Sequence, residues 1–398
     1  MSHLWKKNEP ARFWQCYPEI PQSQWLAAAR EASPVLGCLD QHWNDFDTLL
    51  QLTLGEGQHG IHHWQLGWKK EFYYQVKPWL PRLFTRMLRQ FQTHFAASRC
   101  LLDWPIEKRY VLFQWELIRC LLIQQDQLSL NFIHFWPHGK QFALVLTHDV
   151  ETINGQRFVR TVVDLEESLG FRSSFNFVPE RYELDHDLLF ELRERGFEVG
   201  VHGLCHDGKL FSSQQVFEQR ASRINHYMKQ FQAAGFRSPL TMRQPEWMQA
   251  LDIDYDLSFF DTDPYEPISG GTMSIWPFWL GRFVELPYTL VQDYTLIKVL
   301  KQLTPRIWLD KVDFIRRHFG MALINTHPDY LQEKTTWQVY HDFLLEMRKL
   351  ESDWWHSLPK QVANWWRKRH SASVHALPID SDLSSGQIML TQNGIEIC

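Results

Sequence analysis

The rhythm of hydrophobic and polar positions changes near residue 140. Before that point, apolar residues recur at helical spacing, as in segments 80–95 and 111–123. Beyond it, short apolar runs alternate with amphipathic stretches that stop at a glycine, which is typical of strands alternating with helices. The apolar runs cover residues 142–146, 174–178, 197–201, 257–260 and 321–324. The alternation predicts an α/β fold with a parallel sheet or barrel.

The same change divides the chain into three parts. We predict a helical N-terminal region over residues 1–138, packed on a (β/α) barrel over residues 139–370. Residues 371–398 are polar and contain two glycines, so they predict a C-terminal tail that is loose or folds into a short hairpin.

Composition excludes several classes of protein. The 398 residues carry 41 basic and 46 acidic side chains, a net charge of −5, which argues against nucleic-acid binding through bulk electrostatics. No apolar run approaches the ~20 residues of a transmembrane helix. The six cysteines are scattered, as expected of reduced thiols. Because no apolar stretch follows the N-terminal lysines, we expect a cytoplasmic protein.

Tryptophan is unusually frequent, with 19 residues. The pairs Trp354-Trp355 and Trp365-Trp366 precede the basic run 367–369, a composition that suits peripheral contact with a membrane. The alternative is that these aromatic side chains pack on the barrel, which needs helices to cover it.

Four of the apolar runs are followed directly by residues that carry chemistry. In chain order these are Asp149 and Glu151, then His202 and His206, then Asp261 and Asp263, and finally His327. The carboxyl ends of barrel strands meet at one face, where active sites of such barrels lie. Two imidazoles spaced i, i+4 plus a carboxylate are a ligand set typical of catalytic zinc. The pattern therefore predicts one metal or hydrolytic site.

The order of these motifs resembles the polysaccharide deacetylases (NodB homology, carbohydrate esterase family 4) over residues 141–330. The resemblance implies a distorted (β/α)7-type barrel that removes N- or O-acetyl groups from glycans. It also implies a divalent metal, for which we expect Zn²⁺.

The resemblance assigns roles to individual residues. Asp149 matches the catalytic base of the first motif. Val150 stands where the family has a metal-binding aspartate and cannot ligate a metal, so we assign the third ligand to Glu151, beside His202 and His206.

The later motifs supply the remaining roles. Arg237, in an Arg-x-Pro motif, is expected to hold the base ionised, and His327 to act as the general acid. Asp263 is expected to orient His327, although Asp261 is an equal candidate from the residues alone. We assign substrate binding to Arg243, Tyr265 and Trp247.

We therefore expect a metal-dependent carbohydrate deacetylase acting on a glycan, including one linked to a lipid. The departures from the family pattern at Val150, Gly203 and Leu240 keep a second hypothesis open, a glycan- or partner-binding protein that has lost turnover. A third is a different amidase, such as a deformylase acting on a lipid-linked sugar.

Overall fold

A curled sheet of mostly parallel strands forms the centre of the molecule. The computed structural model describes residues 4–60, 63–64, 101–372 and 383–398, so the helix predicted over 80–95 lies outside the described residues. The strands are β1 (Cys16–Tyr17), β2 (Ser129–Ile133), β3 (Phe142–Val150), β4 (Ser174–Phe177), β5 (Glu198–His202), β6 (Gly235–Arg237), β7 (Tyr255–Asp256), β8 (Phe278–Leu280), β9 (Phe283–Glu285), β10 (Met321–Thr326), β11 (Trp354–His356), β12 (Ser385–Thr391) and β13 (Gly394–Ile397).

Helices surround this sheet and form most of the N-terminal region. The described α-helices are α1 (Pro10–Trp14), α2 (Gln22–Ala32), α3 (Phe46–Leu52), α4 (Arg109–Gln124), α5 (Ile153–Ser168), α6 (His186–Glu194), α7 (Gln214–Gln230), α8 (Pro245–Met248), α9 (Arg306–Arg317), α10 (Pro328–Leu331), α11 (Lys334–Lys349) and α12 (Pro359–Ser371). Three of those that follow strands begin at a side-chain cap, provided by Thr152, Asp185 and Ser213.

Seven strands pair in parallel in the order β10–β3–β4–β5–β6–β7–β9. Strand β8 is antiparallel to β9, and β11 lies beside the first residues of β3. A parallel bridge between Leu290 and Ile324 joins the segment after β9 to β10, so the sheet curls back on itself. The predicted distorted (β/α)7-type barrel is confirmed.

One predicted strand is displaced in the structure. The run 257–260 was expected to form a strand, but β7 ends at Asp256, and Phe260 makes only an isolated bridge to Tyr288. The Asp256 carboxylate accepts hydrogen bonds from both the backbone N–H and the hydroxyl of Ser258. Such local side-chain bonds turn the backbone away from a regular ladder.

The two ends of the chain form a second, antiparallel sheet in the order β1–β2–β12–β13. The N-terminal region is therefore not wholly helical, since β1 and β2 both belong to it. The tail is not loose over its described part, because β12 and β13 form a hairpin that turns at Gly394, whose φ is +117°.

A buried arginine joins helix α12 to the N-terminal region. The guanidinium of Arg369 donates to the carbonyl oxygens of Phe13, Trp14, Ile133 and His134. The neighbouring Trp365 and Trp366 are each only 5% exposed. These two indoles pack inside the protein, and they do not form an exposed face for a membrane. In the described part of the chain, no helix is both long and apolar enough to span a bilayer.

A second buried ion pair joins the N-terminal region to the barrel. Glu56 and Arg243 are 1% and 0% exposed, and two guanidinium nitrogens of Arg243 contact the two carboxylate oxygens of Glu56 at 2.5 and 2.8 Å. The backbone N–H of Gly271 also donates to Glu56. Burial alone would raise the pKa of Glu56, but the charge of Arg243 together with the hydrogen bonds from His63 and Arg243 outweighs it and lowers that pKa to about 2.

We expect Glu56→Gln to lower the free energy of unfolding at pH 7 by about 3–5 kcal/mol, because it leaves the Arg243 charge buried without a counter-ion. The Glu56 pKa is depressed on folding, so this stabilisation is complete above the unfolded pKa near 4.5. It is lost as the pH falls toward 2. Urea unfolding followed by tryptophan fluorescence at several pH values measures the difference.

The matched control is Glu346→Gln, because Glu346 pairs with Lys349 on the exposed surface and should contribute less than about 1 kcal/mol. Equal losses of stability in the two variants would contradict the structural role given to the buried pair.

Candidate functional site

Three side chains at the carboxyl ends of barrel strands form a set of metal-ligand type. Glu151 follows β3, His202 ends β5, and His206 lies four residues further on. Each offers one ligand atom, and the three atoms lie within 4.8 Å of one another. Nε2 of His206 lies 3.0 Å from a carboxylate oxygen of Glu151, and Nε2 of His202 lies 4.0 Å from the same oxygen.

The protonation of His202 suits a ligand. Its Nδ1 lies 3.1 Å from the carbonyl oxygen of Arg237, which can only accept, so Nδ1 carries the proton and Nε2 keeps its lone pair. Burial lowers the pKa of His202 to about 4, which keeps the ring neutral near pH 7. A carboxylate oxygen and two imidazole nitrogens this close together fit a divalent cation of the zinc type.

Strand geometry explains why Glu151, and not residue 150, lies beside the two histidines. Successive side chains along a strand point to opposite faces, so Asp149 and Glu151 share one face and Val150 lies on the other. Val150 is fully buried. The turn after it is fixed from two sides, because Tyr182 donates to the Val150 carbonyl and Asp329 accepts from the Glu151 backbone N–H at 3.2 Å.

Asp149 lies beside the donor set in a dense hydrogen-bond network. One carboxylate oxygen accepts from Asn176 at 3.0 Å and from Arg237 at 3.2 Å, and the other accepts from Asn325 at 2.8 Å. The second oxygen is also 4.0 Å from Nε2 of His202. Burial would raise the pKa of Asp149, but the charge of Arg237, the two neighbouring histidines and the Asn176 hydrogen bond together outweigh it and hold that pKa well below its usual range.

Arg237 reaches Asp149 from strand β6. It is 2% exposed, and its Nε donates to the carbonyl oxygen of Leu257 at 2.9 Å, which fixes the direction of the guanidinium. Its Nη1 contacts Thr147 as well as Asp149, whereas its Nη2 has no hydrogen-bond acceptor among the described residues. The structure therefore places the predicted arginine beside the predicted base.

His327 lies on the opposite side of Glu151, with Nε2 at 3.8 Å from the Glu151 carboxylate. Its Nδ1 lies 2.7 Å from a carboxylate oxygen of Asp293, and its backbone N–H donates to the other oxygen. Burial would lower the pKa of His327, but the charge of Asp293 and its hydrogen bond outweigh it. They raise that pKa to about 10, so the imidazolium persists at neutral pH.

The prediction that Asp263 orients His327 is wrong, and so is the alternative Asp261. Asp263 accepts from the backbone of Tyr265 and from the hydroxyl of Tyr288, and burial next to Glu266 raises its pKa well above the usual range. The carboxylate that contacts Nδ1 of His327 belongs to Asp293 instead. The carboxylate of Asp261 instead pairs with Lys311 at 2.7 Å.

Of the three residues assigned to substrate binding, one assignment is wrong and two stay untested. The assignment of Arg243 is wrong, since it is fully buried and paired with Glu56. Tyr265 is partly exposed and its ring meets Trp104 edge-on, with centroids 5.3 Å apart. Trp247 packs against the aromatic rings of Trp64, Phe211 and Phe217. The roles of Tyr265 and Trp247 stay predictions.

Four residues of the site escaped the sequence analysis. They are the amides and carboxylates that hold other side chains in place: Asn176, Asn325, Asp293 and Asp329. Asn325 lies in the strand-end motif that contains His327, so its position alone could have indicated it. Asp293 follows the apolar segment 286–291, which forms part of the barrel wall, and a strand prediction there would have placed it at the catalytic face.

Comparison with solved structures identifies the architecture. A Mycobacterium smegmatis protein assigned as a polysaccharide deacetylase matches 62% of this chain and 97% of its own, with 15% identity and a TM-score of 0.50. A Pseudomonas aeruginosa PAO1 protein with the same assignment matches 60% and 96%, with 13% identity and a TM-score of 0.50. The chain has the polysaccharide deacetylase fold.

This likeness is one of structure. The amino-acid sequence matches no family profile and no curated protein. Another solved structure, Puue allantoinase, matches 60% of this chain and 95% of its own at 14% identity, with a TM-score of 0.48. At such low identities the comparisons establish the deacetylase-type barrel, and the chemistry of the site has to be argued from its residues.

We expect Asp329→Ala to weaken zinc binding by about tenfold, because Asp329 accepts from the Glu151 backbone and from the Thr152 hydroxyl, which together fix the ligand loop. Isothermal titration with zinc measures the affinity, and Asp310→Ala on the exposed surface is the control. An affinity unchanged from that of the control would show that Glu151 needs no such support.

Proposed function

We propose that the chain is a metal-dependent hydrolase that removes an acyl group, specifically an acetyl group from a carbohydrate amide. The observation that carries this proposal is that Asp149 and His327 both lie next to the Glu151–His202–His206 set. Nε2 of His202 is 4.0 Å from Asp149, and Nε2 of His327 is 3.8 Å from Glu151. Hydrolysis of an amide needs a base on one side of the reacting carbonyl carbon and an acid on the other.

The donor set would hold the metal through one carboxylate oxygen and two imidazole nitrogens. A divalent cation bound there would supply Lewis acidity to polarise the acyl carbonyl and activate a water molecule. The remaining chemistry belongs to side chains of this chain.

Asp149 is the base in this proposal and takes a proton from the attacking water. Asn176, Asn325 and Arg237 fix its carboxylate and keep it ionised. As the carbonyl carbon gains the water oxygen, its bond to nitrogen breaks. The departing nitrogen receives a proton from Nε2 of His327, whose imidazolium is stabilised by Asp293. An amine and a carboxylic acid result.

The deacetylase-type barrel supports carbohydrate as the substrate class. The hypothesis of a binding protein without turnover rested on departures at Val150, Gly203 and Leu240. Val150 does not deprive the donor set of a carboxylate, because Glu151 supplies one from the same turn. Gly203 has a φ of +61°, and a Cβ there would come within 2.5 Å of Pro239, so the backbone requires glycine. The identity of the metal as zinc, a lipid-linked substrate and the cytoplasmic location stay predictions.

The direct test is acetate release from acetylated oligosaccharides by the zinc-loaded protein. Acetate from N-acetylated substrates is the expected result. Metal bound without product from any acetylated glycan would favour the binding protein, and formate from a formylated sugar would favour a deformylase.

We expect Asp149→Asn to lower kcat by at least about 10²-fold while the metal content stays near that of the wild type, because Asp149 is the base and not a ligand. His206→Ala should lose the metal itself. Metal analysis and acetate release measured on the same preparations separate the two effects. Equal loss of metal from both variants would contradict this division between base and ligand.

We expect Asp293→Asn to lower kcat by about tenfold or more, because His327 then loses the charge that stabilises its imidazolium. Asp263→Asn should have little effect on kcat, since the Asp263 carboxyl group contacts Tyr265 and Tyr288 and not His327. Steady-state kinetics with matched thermal unfolding curves compare the two variants. A larger effect at Asp263 would restore the assignment made from the sequence.

A further inference from the structure

A cluster of cations without carboxylate partners lines a cleft formed by the N-terminus, β8 and the end of α12. We name it the basic cleft. Its basic members are Lys7, Arg12, Arg369 and His370, which lie around Trp279, and none of the residues that line it is acidic. Arg367 adds a further charge, with its guanidinium carbon 5.8 Å from the centre of the Trp279 ring.

The charges converge on one indole. The ammonium of Lys7 lies 4.0 Å from the centre of the Trp279 ring, and the His370 ring lies 5.2 Å from it. Within the described residues, Lys7, Arg12 and Arg367 form no ion pair with a carboxylate. The nearest carboxylates are Asp254, beside Arg367, and Glu9, beside Arg12, and neither lines the cleft.

The cations destabilise one another in the absence of a ligand. Burial and the charges of Arg367 and Arg12 lower the pKa of Lys7. Burial and the same kind of repulsion lower the pKa of His370 to about 4, and its neutral ring lies 3.4 Å from an Arg12 nitrogen. An anion placed among these groups would relieve the repulsion.

Two buried groups at the cleft, the indole N–H of Trp279 and the guanidinium of Arg369, also favour an anionic ligand. Trp279 is 8% exposed, and its indole N–H is buried with no acceptor among the described residues. A buried donor without an acceptor costs about 1–3 kcal/mol, which an anionic oxygen would recover. Arg369 meets only carbonyl oxygens, so its charge is not neutralised within the protein.

A simpler account is that Lys368, Arg369 and His370 are basic residues at the end of a helix, where the helix dipole favours them. That account does not extend to Lys7 and Arg12, which belong to a separate segment at the other end of the chain. Nor does it provide the acceptor that the Trp279 indole lacks.

We propose that the basic cleft binds a phosphate group, either free or as part of a phosphomonoester or lipid headgroup. The enclosed space is about 20 Å³, enough for about one water molecule or one phosphate oxygen. The rest of the phosphate would lie at the open mouth, between the exposed side chains of Lys7 and Arg12. Phosphate matches this donor set because its several anionic oxygens can accept from ammonium, guanidinium and indole donors together.

The site is separate from the proposed catalytic centre. Arg367 donates to the carbonyl oxygen of Asp254, which directly precedes β7, so the cleft lies at the amino edge of the parallel strands. The donor set lies at their carboxyl edge. Phosphate binding here would therefore anchor or regulate the protein, and the inference is independent of the proposed deacetylase activity.

The test is titration of the full-length protein with inorganic phosphate by calorimetry at low ionic strength, together with co-sedimentation with vesicles. The vesicles are of phosphatidylcholine alone or with phosphatidic acid. The test variant is Lys7→Gln/Arg12→Gln, and the matched control is Lys6→Gln, an exposed lysine one residue from the cleft that does not line it.

We expect the double variant, and not the control, to weaken the phosphate-bearing ligand by at least about tenfold. A tenfold loss for free phosphate supports a soluble ligand, and a loss confined to phosphatidic acid vesicles supports a lipid headgroup. Phosphate that binds at the catalytic centre would be unaffected by the cleft substitutions. Binding that is absent, or equal in the double variant and the control, overturns the proposal.

Discussion

A buried carboxylate and a buried guanidinium, Asp149 and Arg237, impose the strictest condition on this fold. Each is 2% exposed. Removing two such ions from water costs several kcal/mol each, and their attraction offsets this cost only when hydrogen bonds satisfy their remaining donors and acceptors. Asn176 and Asn325 provide such bonds to Asp149 from the strands on either side of β3, whereas one guanidinium nitrogen of Arg237 has no acceptor among the described residues. The pair therefore requires four strands, β10, β3, β4 and β6, to keep their register.

That register also fixes what surrounds the pair. Because Asp149 faces the barrel interior, the period of two along β3 brings Glu151 to the same side, at the point where the strand meets its helix. The histidines that end β5 and follow β10 then approach Glu151 from two sides, at 4.0 and 3.8 Å. The positions of the residues proposed as base, metal ligands and acid are therefore all set by one parallel sheet. They do not depend on three independent loop conformations.

The sequence predicted the elements whose signal is local. Apolar runs with chemistry at their ends gave the barrel, and the residues brought together at its carboxyl edge include Asp149, Glu151, His202, His206 and His327. The partners of these residues could not be predicted in the same way. Asp293 reaches His327 because a segment that was not predicted as a strand bridges to β10, and Arg243 meets Glu56 across 187 positions. Such pairings are set by packing between distant segments, which a single sequence does not reveal.

The acidic residues that misled the sequence analysis share an environment that separates them from the functional ones. Burial outweighs all else and raises the pKa of Asp261 to about 6, and it raises the pKa of Asp263 well above its usual range. Cationic neighbours instead lower the pKa of Asp149 and of Glu151, and both remain ionised. A low pKa alone does not mark function, because Glu56 has one through Arg243 and is sealed from solvent. What distinguishes Glu151 is an ionised carboxylate that is still 22% exposed, with imidazole nitrogens of His206 and His202 at 3.0 and 4.0 Å from it. A ligand-binding site requires a charged group, here the Glu151 carboxylate, that remains accessible at a strand end. Leaving that charge incompletely paired costs free energy.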